Sequence, residues 1–326
     1  MKPEIITTLI SSHAELASGI DANNKIDAGY LSENYILESS GIKYFLKCYR
    51  FPDKRRISDA HKAKYFFFSK GIPVILPIKN KEGETIQQIG DRYFSLFPFI
   101  SGHHFVTSDV PSLAPKALGS ILGRIHVAGE KTYPDISEKF KSWNKKVFQE
   151  TADAILDIIN EKERMTDFDV RAKQVIEFKK KCVNTEKLEY KDMEDLRVGL
   201  IHGDYHNGNV FFDASGSVTH VFDFEKTCIA PFVFEIVRAI RYSHVTGYGR
   251  PGSKASVSNF IEGYMQERMI TDMELQQGIE LFYQHEIHGL WVEKEHYLKG
   301  NSRVDKLLHT EEFLKGIETL GSRVKI

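Results

Sequence analysis

The sequence predicts an α+β fold of two lobes, with a β-rich N-terminal lobe over residues 1–99 and a mostly helical C-terminal lobe over residues 100–326. Two patterns support this order. The first hundred residues contain short runs rich in β-branched and aromatic residues, bounded by turn residues. The remainder shows apolar residues at helical spacing. A chain of 326 residues is long enough for two lobes of ordinary size.

The N-terminal lobe is predicted to combine strands with two helices. Helical spacing of apolar residues covers residues 2–17 and 57–69, and the second helix stops at Gly71. A connector to the second lobe is expected at residues 97–102. The predicted strands are residues 25–37, as a pair joined by a turn, and residues 42–49, 73–78 and 93–97.

Most of the C-terminal lobe is predicted to be helical. A β pattern at residues 210–222 interrupts the helices. Two polar residues, Asn209 and Asp223, flank this pattern. The helices are expected at residues 113–128, 138–160, 167–182, 232–242, 256–269 and 272–298.

Composition excludes several classes of function. Lys and Arg total 44, and Asp and Glu total 45. The net charge is therefore close to zero and does not indicate binding to nucleic acid. The three cysteines, Cys48, Cys182 and Cys228, show no disulfide or zinc spacing, which is typical of a reducing cytoplasm. We expect a cytoplasmic protein that does not insert in a membrane, since no apolar run approaches the roughly 20 residues needed to span one.

The β pattern of the second lobe has the layout of a phosphoryl-transfer site. Residues 210–212 and 218–222 are predicted strands, joined by a turn. If the hairpin is centred near Gly216, Asn209 and Asp223 lie opposite each other with Cβ atoms about 5 Å apart. Two oxygen ligands at that separation can share one Mg²⁺. A nearby carboxylate, Asp204, can orient an attacking hydroxyl.

The segment from His202 to Asn209, His-Gly-Asp-Tyr-His-Asn-Gly-Asn, resembles the signature of the aminoglycoside phosphotransferase and choline kinase superfamily, as does the later Asp223. This superfamily is similar in fold to protein kinases. The resemblance implies ATP and Mg²⁺ as cofactors, Asp204 as the catalytic base or hydroxyl-orienting residue, and Asn209 and Asp223 as metal ligands. It also implies that His202 organises the loop and does not carry a proton.

The resemblance implies a nucleotide site in the first lobe. Lys47, at the end of a predicted strand, corresponds to the lysine that contacts the nucleotide phosphates. Ser32 and Asn34 belong to a turn, Gly29–Asn34, that can cover the phosphates. The adenine is expected against the connector residues Phe97, Pro98, Phe99 and Ile100, where Pro98 can offer only its carbonyl.

One position departs from the family pattern. Kinases pair the strand lysine with a glutamate on the following helix, and here Ala60 occupies the expected position. Asp59 is the nearest acid, but it lies about 100° around a helix from that position. Either Asp59 pairs with Lys47 through a shifted helix, or the pairing is absent.

The expected reaction is transfer of the γ-phosphoryl group of ATP to a hydroxyl of a small molecule: an amino sugar, sugar, amino alcohol or aminoglycoside. Glu225 stands where protein kinases have glycine, and the late residues Glu286, Trp291 and Glu293 are suited to such a ligand. The alternatives are a protein Ser/Thr kinase of the bacterial stress-response type, and a nucleotide-binding pseudokinase. Type II homoserine kinases share the same motifs.

Overall fold

The computed structural model describes the whole chain except residues 27–31, 106–109, 187, 189, 191–192, 194–195, 244–245, 247–253, 319 and 321–326. Among the described helices, none is long and apolar enough to cross a membrane. The strands are β1 (Ala22–Ile26), β2 (Ser32–Ser39), β3 (Ile42–Tyr49), β4 (Gln87–Ile89), β5 (Arg92–Pro98), β6 (Val198–Ile201), β7 (Val210–Phe212), β8 (Val218–Val221) and β9 (Cys228–Pro231). The helices are α1 (Pro3–Ser12), α2 (Lys54–Ser69), α3 (Ala114–Gly129), α4 (Lys145–Asn160), α5 (Asp167–Thr185), α6 (Phe232–Tyr242), α7 (Lys254–Met265), α8 (Asp272–Ile287), α9 (Trp291–Lys299) and α10 (Glu311–Glu318).

The N-terminal part is built on an antiparallel sheet of five strands in the order β1-β2-β3-β5-β4. The central strand β3 brings Lys47 opposite Asn34 on β2 and Ser95 on β5. Side chains alternate between the two faces of a strand, so Lys47 and Leu46 point in opposite directions. Leu46 is fully buried in a small core that the sheet forms with α1 and the turn after it. Lys47 therefore faces the other side, where α2 lies.

The sequence predicted that this helix begins at residue 57. Helix α2 begins at Lys54, about one turn earlier. Asp53 is its N-cap, and its carboxylate accepts a hydrogen bond from the Arg56 N–H at 3.1 Å. The apolar residues of α2 do not join the small core of the sheet. Ala60, Ala63 and Phe67 belong instead to the large core of the C-terminal part.

The predicted α+β arrangement is confirmed, with local differences. The expected strand at residues 73–78 forms only single bridges, Val74 with Val221 and Ile78 with Leu96. Pro73 and Pro77 explain this, since proline has no N–H for a strand ladder.

Several predicted helices have different bounds, and α7 covers Lys254–Met265 where residues 256–269 were expected. The first ends at Ser12 and not at residue 17, and α4 begins at Lys145 after the N-cap Asn144. The expected helix at 272–298 is divided into α8 and α9, with Gly289 in the break. Glycine is a poor helix former, which accounts for the interruption.

Helices α3 and α7 make the most extensive helix contact among the described elements. Two glycines allow it. A Cβ atom at Gly119 would lie 1.9 Å from the Phe260 carbonyl oxygen, and one at Gly263 would lie 2.0 Å from the Lys116 carbonyl oxygen. The two backbones therefore touch directly. This contact fixes α3 beside β6 and the loop that follows it.

We expect Gly119→Ala to lower the free energy of unfolding by about 1–3 kcal/mol, as overpacking against an unyielding backbone does. The direction of this change in the free energy of unfolding is informative. Helix propensity alone makes alanine more favourable than glycine by about 1 kcal/mol, so it predicts the opposite direction. The measurement is urea denaturation beside Val127→Ala, an exposed change on the same helix expected to stay within about 0.5 kcal/mol. Stabilisation by Gly119→Ala would contradict the close contact.

Candidate active site

The loop from His202 to Asn209 follows β6 and is fixed by a glycine. Gly203 has φ +83°, a left-handed backbone conformation that side chains disfavour. A Cβ atom at this position would lie 1.8 Å from the Lys226 carbonyl oxygen. Only glycine fits, and the loop is therefore held against the segment that follows Asp223.

A buried carboxylate on α6 anchors this loop. Glu235 is fully buried, and its two oxygens accept hydrogen bonds from the N–H groups of His202, at 3.1 Å, and Gly203, at 2.5 Å. The His126 Nε2 lies 3.1 Å from the same carboxylate, while its Nδ1 lies 2.9 Å from the Tyr264 hydroxyl. Burial would raise the pKa of Glu235, but hydrogen bonds, led by that of His126, lower it. Helices α3, α6 and α7 thus meet at one ionised group.

His202 joins the loop to the hairpin. Its Nδ1 accepts a hydrogen bond from the Asp204 N–H at 3.2 Å, and its Nε2 donates to the Phe222 carbonyl at 2.8 Å. Burial lowers the pKa of His202, so the ring is neutral, as these two opposite roles require. The structure thus supports the expected loop-organising role.

Asp204 lies between two cations. Its Oδ1 accepts a hydrogen bond from the Arg238 guanidinium, and its Oδ2 lies 3.0 Å from the Lys226 Nζ. Burial would raise the pKa of Asp204, but Arg238 and Lys226 outweigh burial and hold it well below its usual range. The carboxylate is ionised and 17% exposed, so it can accept a hydrogen bond from an incoming group.

The hairpin brings Asn209 and Asp223 together, but in a register one residue away from the expected one. Asn209 is opposite Phe222, whose N–H donates to the Asn209 carbonyl at 3.0 Å. The hairpin turn is centred on Ser215, where the Asp213 N–H donates to the Ser217 carbonyl at 3.0 Å, and a bulge between Phe211 and Phe212 then shifts the register by one residue. Asp223 then adopts φ +65°, an uncommon value for a residue with a side chain. The expectation that Asn209 and Asp223 lie directly opposite each other is therefore wrong.

Both side chains are tied to other parts of the site. The Asn209 Nδ2 donates to the Asp204 carbonyl at 2.8 Å, which fixes the spacing between the loop and the hairpin. The Asp223 Oδ1 accepts from the Lys47 Nζ at 2.9 Å. Burial and the adjacent Glu225 carboxylate raise the pKa of Asp223.

Lys47 pairs with acids of the hairpin segment and not with α2. Its Nζ lies 2.9 Å from Asp223 and also 2.9 Å from Glu225, and its side chain is 9% exposed. These carboxylates raise the pKa of Lys47 although burial acts in the opposite direction. Glu225 thus takes the place of the helix glutamate that Ala60 lacks.

The alternative that Asp59 pairs with Lys47 is wrong. The Asp59 carboxylate accepts hydrogen bonds from the Ser137 N–H at 2.9 Å and the Ser137 hydroxyl at 2.6 Å. It also accepts one from the Lys62 Nζ at 3.0 Å. Asp59 points away from the sheet because one residue of shift rotates a helical side chain by about 100°.

The other expected nucleotide residues lie on β2 and β5. Ser32 is buried and its hydroxyl donates to the Asn34 Oδ1 at 2.9 Å, while residues 29–31 of that turn lie outside the described part. Phe97 is buried against the His61 ring, with the ring centroids 6.0 Å apart. Beyond it, Pro98 is exposed and Phe99 and Ile100 are half-buried.

The late helices supply less to the site than expected. The Glu293 carboxylate is 2% exposed and lies 3.5 Å from the Lys179 Nζ, so it is engaged within the protein. Glu286 is 11% exposed and lies 2.9 Å from the His309 Nδ1. Trp291 is 41% exposed at the start of α9.

Sequence reasoning missed four charged residues of the site. Two of them, Glu235 and Arg238, are three residues apart in the largely apolar helix α6, so they share a face. Charged residues in such a helix were the available signal. The other two, Lys64 and Lys226, carried no local signal that separates them from surface lysines.

The chain matches the phosphotransferase enzyme family over residues 24–268. It belongs to this family. The chain is therefore a phosphotransferase, and the predicted family and kinase-like fold are confirmed. No curated protein matches the chain.

Solved structures of kinases share the fold of this phosphotransferase. A spectinomycin phosphotransferase in complex with ADP and spectinomycin has a TM-score of 0.67 at 17% identity, covering 99% of this chain and 100% of that one. An amicoumacin kinase with AMP-PNP and Ca²⁺ has a TM-score of 0.60 at 17% identity, covering 98% and 94%. A microcompartment-associated aminopropanol kinase has a TM-score of 0.60 at 14% identity, with the same coverage.

We expect Glu235→Gln to lower the free energy of unfolding at pH 7 by about 1–3 kcal/mol, because buried N–H groups lose an ionised acceptor. The pKa of Glu235 is lowered in the folded state, so its contribution is present above its ordinary value of 4.5 and is lost as pH falls through the folded value. The difference in the free energy of unfolding between wild type and Glu235→Gln, the gap, should therefore become smaller as pH falls through the folded-state pKa of Glu235.

Denaturation at several pH values measures this gap. Glu262→Gln, which removes an exposed carboxylate on α7, is the matched control and should stay within about 0.5 kcal/mol. A gap for Glu235→Gln that does not change between pH 7 and pH 3 would contradict the assigned role of the charge.

Proposed function

We propose that this phosphotransferase transfers the γ-phosphoryl group of ATP, with Mg²⁺, to a hydroxyl of a small molecule. The observation that carries the proposal is the convergence of Asp204, Asn209, Asp223 and Lys47 on one site. Asn209 bonds the Asp204 backbone at 2.8 Å, and Lys47 bonds Asp223 at 2.9 Å. An acceptor-orienting carboxylate, two oxygen ligands and a phosphate-binding cation are the parts that phosphoryl transfer needs.

Asp204 orients the acceptor. An ionised carboxylate is only an acceptor of hydrogen bonds, so it receives the substrate O–H and directs its oxygen. Arg238 and Lys226 lower the basicity of Asp204. Orientation is therefore its main contribution, and it takes the proton as the acceptor oxygen bonds to the γ-phosphorus and the bond from that phosphorus to the departing ADP breaks.

Asn209 and Asp223 have a donor set that fits Mg²⁺. The Asn209 Nδ2 is engaged by the Asp204 carbonyl, which leaves its amide oxygen as a ligand. Asp223 offers a carboxylate oxygen besides the one that Lys47 bonds, and its side chain is 34% exposed. Hard oxygen donors suit Mg²⁺. When bound, the metal neutralises charge on the phosphates.

The nucleotide is proposed to lie along β2, β3 and the end of β5. Lys47 steadies the phosphates, with Asn34 and Ser32 on the adjacent strand β2. The adenine lies against the backbone from Phe97 to Ile100, where the carbonyl of Pro98 accepts a hydrogen bond from the amino group.

Two observations support a small acceptor. Strand β9 follows Asp223 closely and α6 begins at Phe232, which leaves no length for an activation loop that docks a peptide. The similar structures are those of enzymes named for spectinomycin, amicoumacin and aminopropanol, which are small molecules. Among the acids considered for the acceptor, Glu286 remains a candidate.

A coupled ADP-release assay tests the proposed function. Amino sugars, simple sugars, amino alcohols, homoserine, choline and aminoglycosides are compared with a generic protein substrate and an autophosphorylation control. We expect acceleration by a small hydroxylated compound. Phosphorylation of protein serine, without acceleration by any small molecule, would overturn the proposal in favour of a protein kinase.

With that acceptor, Asp204→Asn should lower kcat by about 10²- to 10⁴-fold, because the oriented base is lost. Asp213→Asn is the matched control, since Asp213 is an exposed acid in the turn of the same hairpin. It should retain the wild-type rate. Near wild-type kcat in Asp204→Asn would show that another group orients the acceptor.

Asp223→Ala should abolish the metal dependence of nucleotide binding, because a carboxylate ligand is removed. Calorimetric titration with ATP, in the presence and absence of Mg²⁺, measures the difference. Asp213→Ala is again the control and should behave as wild type. A metal dependence that persists in Asp223→Ala would move the metal site elsewhere.

A further inference from the structure

A lysine of α2 is buried beside the site without an evident structural reason. Lys64 is 2% exposed, and its Nζ lies 3.9 Å from the Glu225 carboxylate. Its ammonium group lies 4.6 Å from the centre of the Phe97 ring and 6.0 Å from that of Phe224. Burying an ammonium group is costly unless it is paired, so its place calls for a partner of opposite charge.

Four charged side chains, Lys47, Lys64, Asp223 and Glu225, lie close together. Asp223 and Glu225 are the acids, and Lys47 lies 2.9 Å from both. Without Lys64, the cluster would hold two carboxylates and one cation. With Lys64, the two positive and two negative charges balance in a region where charge is poorly screened.

Glu225 needs Lys64 in particular. Both oxygens of Glu225 are buried and neither has a hydrogen bond of good geometry. Its backbone is held by the Arg56 Nε, which donates to the Glu225 carbonyl at 2.9 Å. When Lys47 turns toward a phosphate group, Lys64 remains to balance the Glu225 carboxylate.

We propose that Lys64 is a positioning residue that holds Glu225, and through it Lys47, and that sets the net charge of the metal-binding cluster. The proposal rests on the proposed function, since it takes Asp223 and Lys47 as metal and phosphate residues. Lys64 thus acts from the same face of α2 as Ala60, one turn later. In this chain the helix contributes a cation to the site, and the hairpin segment contributes the acid.

Removing the charge of Lys64 should change the affinities for Mg²⁺ and ADP in a way that a change in packing alone would not. Lys64→Met keeps most of the volume but leaves one excess negative charge near Asp223. The affinity of the nucleotide-free protein for Mg²⁺ should then rise by roughly tenfold. The affinity for ADP without metal should fall by a similar factor, because Lys47 is held more strongly by the two acids.

Calorimetric titrations with Mg²⁺ alone and with ADP in metal-free buffer test both shifts. Lys62→Met is the matched control, since it removes a half-exposed lysine from the same helix. It should change neither affinity. Unchanged Mg²⁺ and ADP affinities in Lys64→Met would show that Lys64 only fills space. This result would overturn the inference about Lys64 but not the proposed function.

A double variant keeps the test valid if Lys64→Met does not fold. Lys64→Met with Glu225→Gln removes one charge of each sign, so its Mg²⁺ affinity should return to near the wild-type value. Glu225→Gln alone should weaken Mg²⁺ binding by roughly tenfold. Equal Mg²⁺ affinities for the double variant and Glu225→Gln would overturn the role of Lys64. If wild type binds neither ADP nor Mg²⁺, the proposed function fails together with the inference.

Discussion

The buried carboxylate of Glu235 is the group on which the geometry of the site depends. It accepts hydrogen bonds from two successive N–H groups of the catalytic loop, and it contacts His126 of α3. The same histidine meets Tyr264 of α7, whose helix is in backbone contact with α3 through glycines. The position of Asp204 is thus set by the packing of three helices.

Local patterns predicted the residues that meet in the candidate site, whereas pairs distant in sequence could not be predicted. Asp204, Asn209 and Asp223 lie within one loop and one hairpin, so spacing alone brings them together. The register of the hairpin was wrong by one residue, because the turn is centred on Ser215 and not near Gly216, and a bulge then shifts the pairing. The ion pair of Lys47 with Glu225 joins residues that no periodicity relates.

The same reasoning explains the error at Asp59. Proximity in sequence suggested it as the partner of Lys47, but a helix turns adjacent side chains to different faces. Two acids of the site are each flanked by two cations: Asp204 by Arg238 and Lys226, and Glu225 by Lys47 and Lys64. Buried charges persist only when they are paired.

The division of the hydrophobic cores has a mechanical consequence. The sheet packs on α1 in the small core, whereas α2 packs in the large core with the C-terminal helices. The seam of the molecule therefore runs between β3 and α2, and apolar contacts within each core resist shear. If the sheet slides along this seam, Lys47 moves with it while Lys64 and Glu225 stay together. The contact between Lys47 and Glu225 is then the contact of the site that such sliding would change.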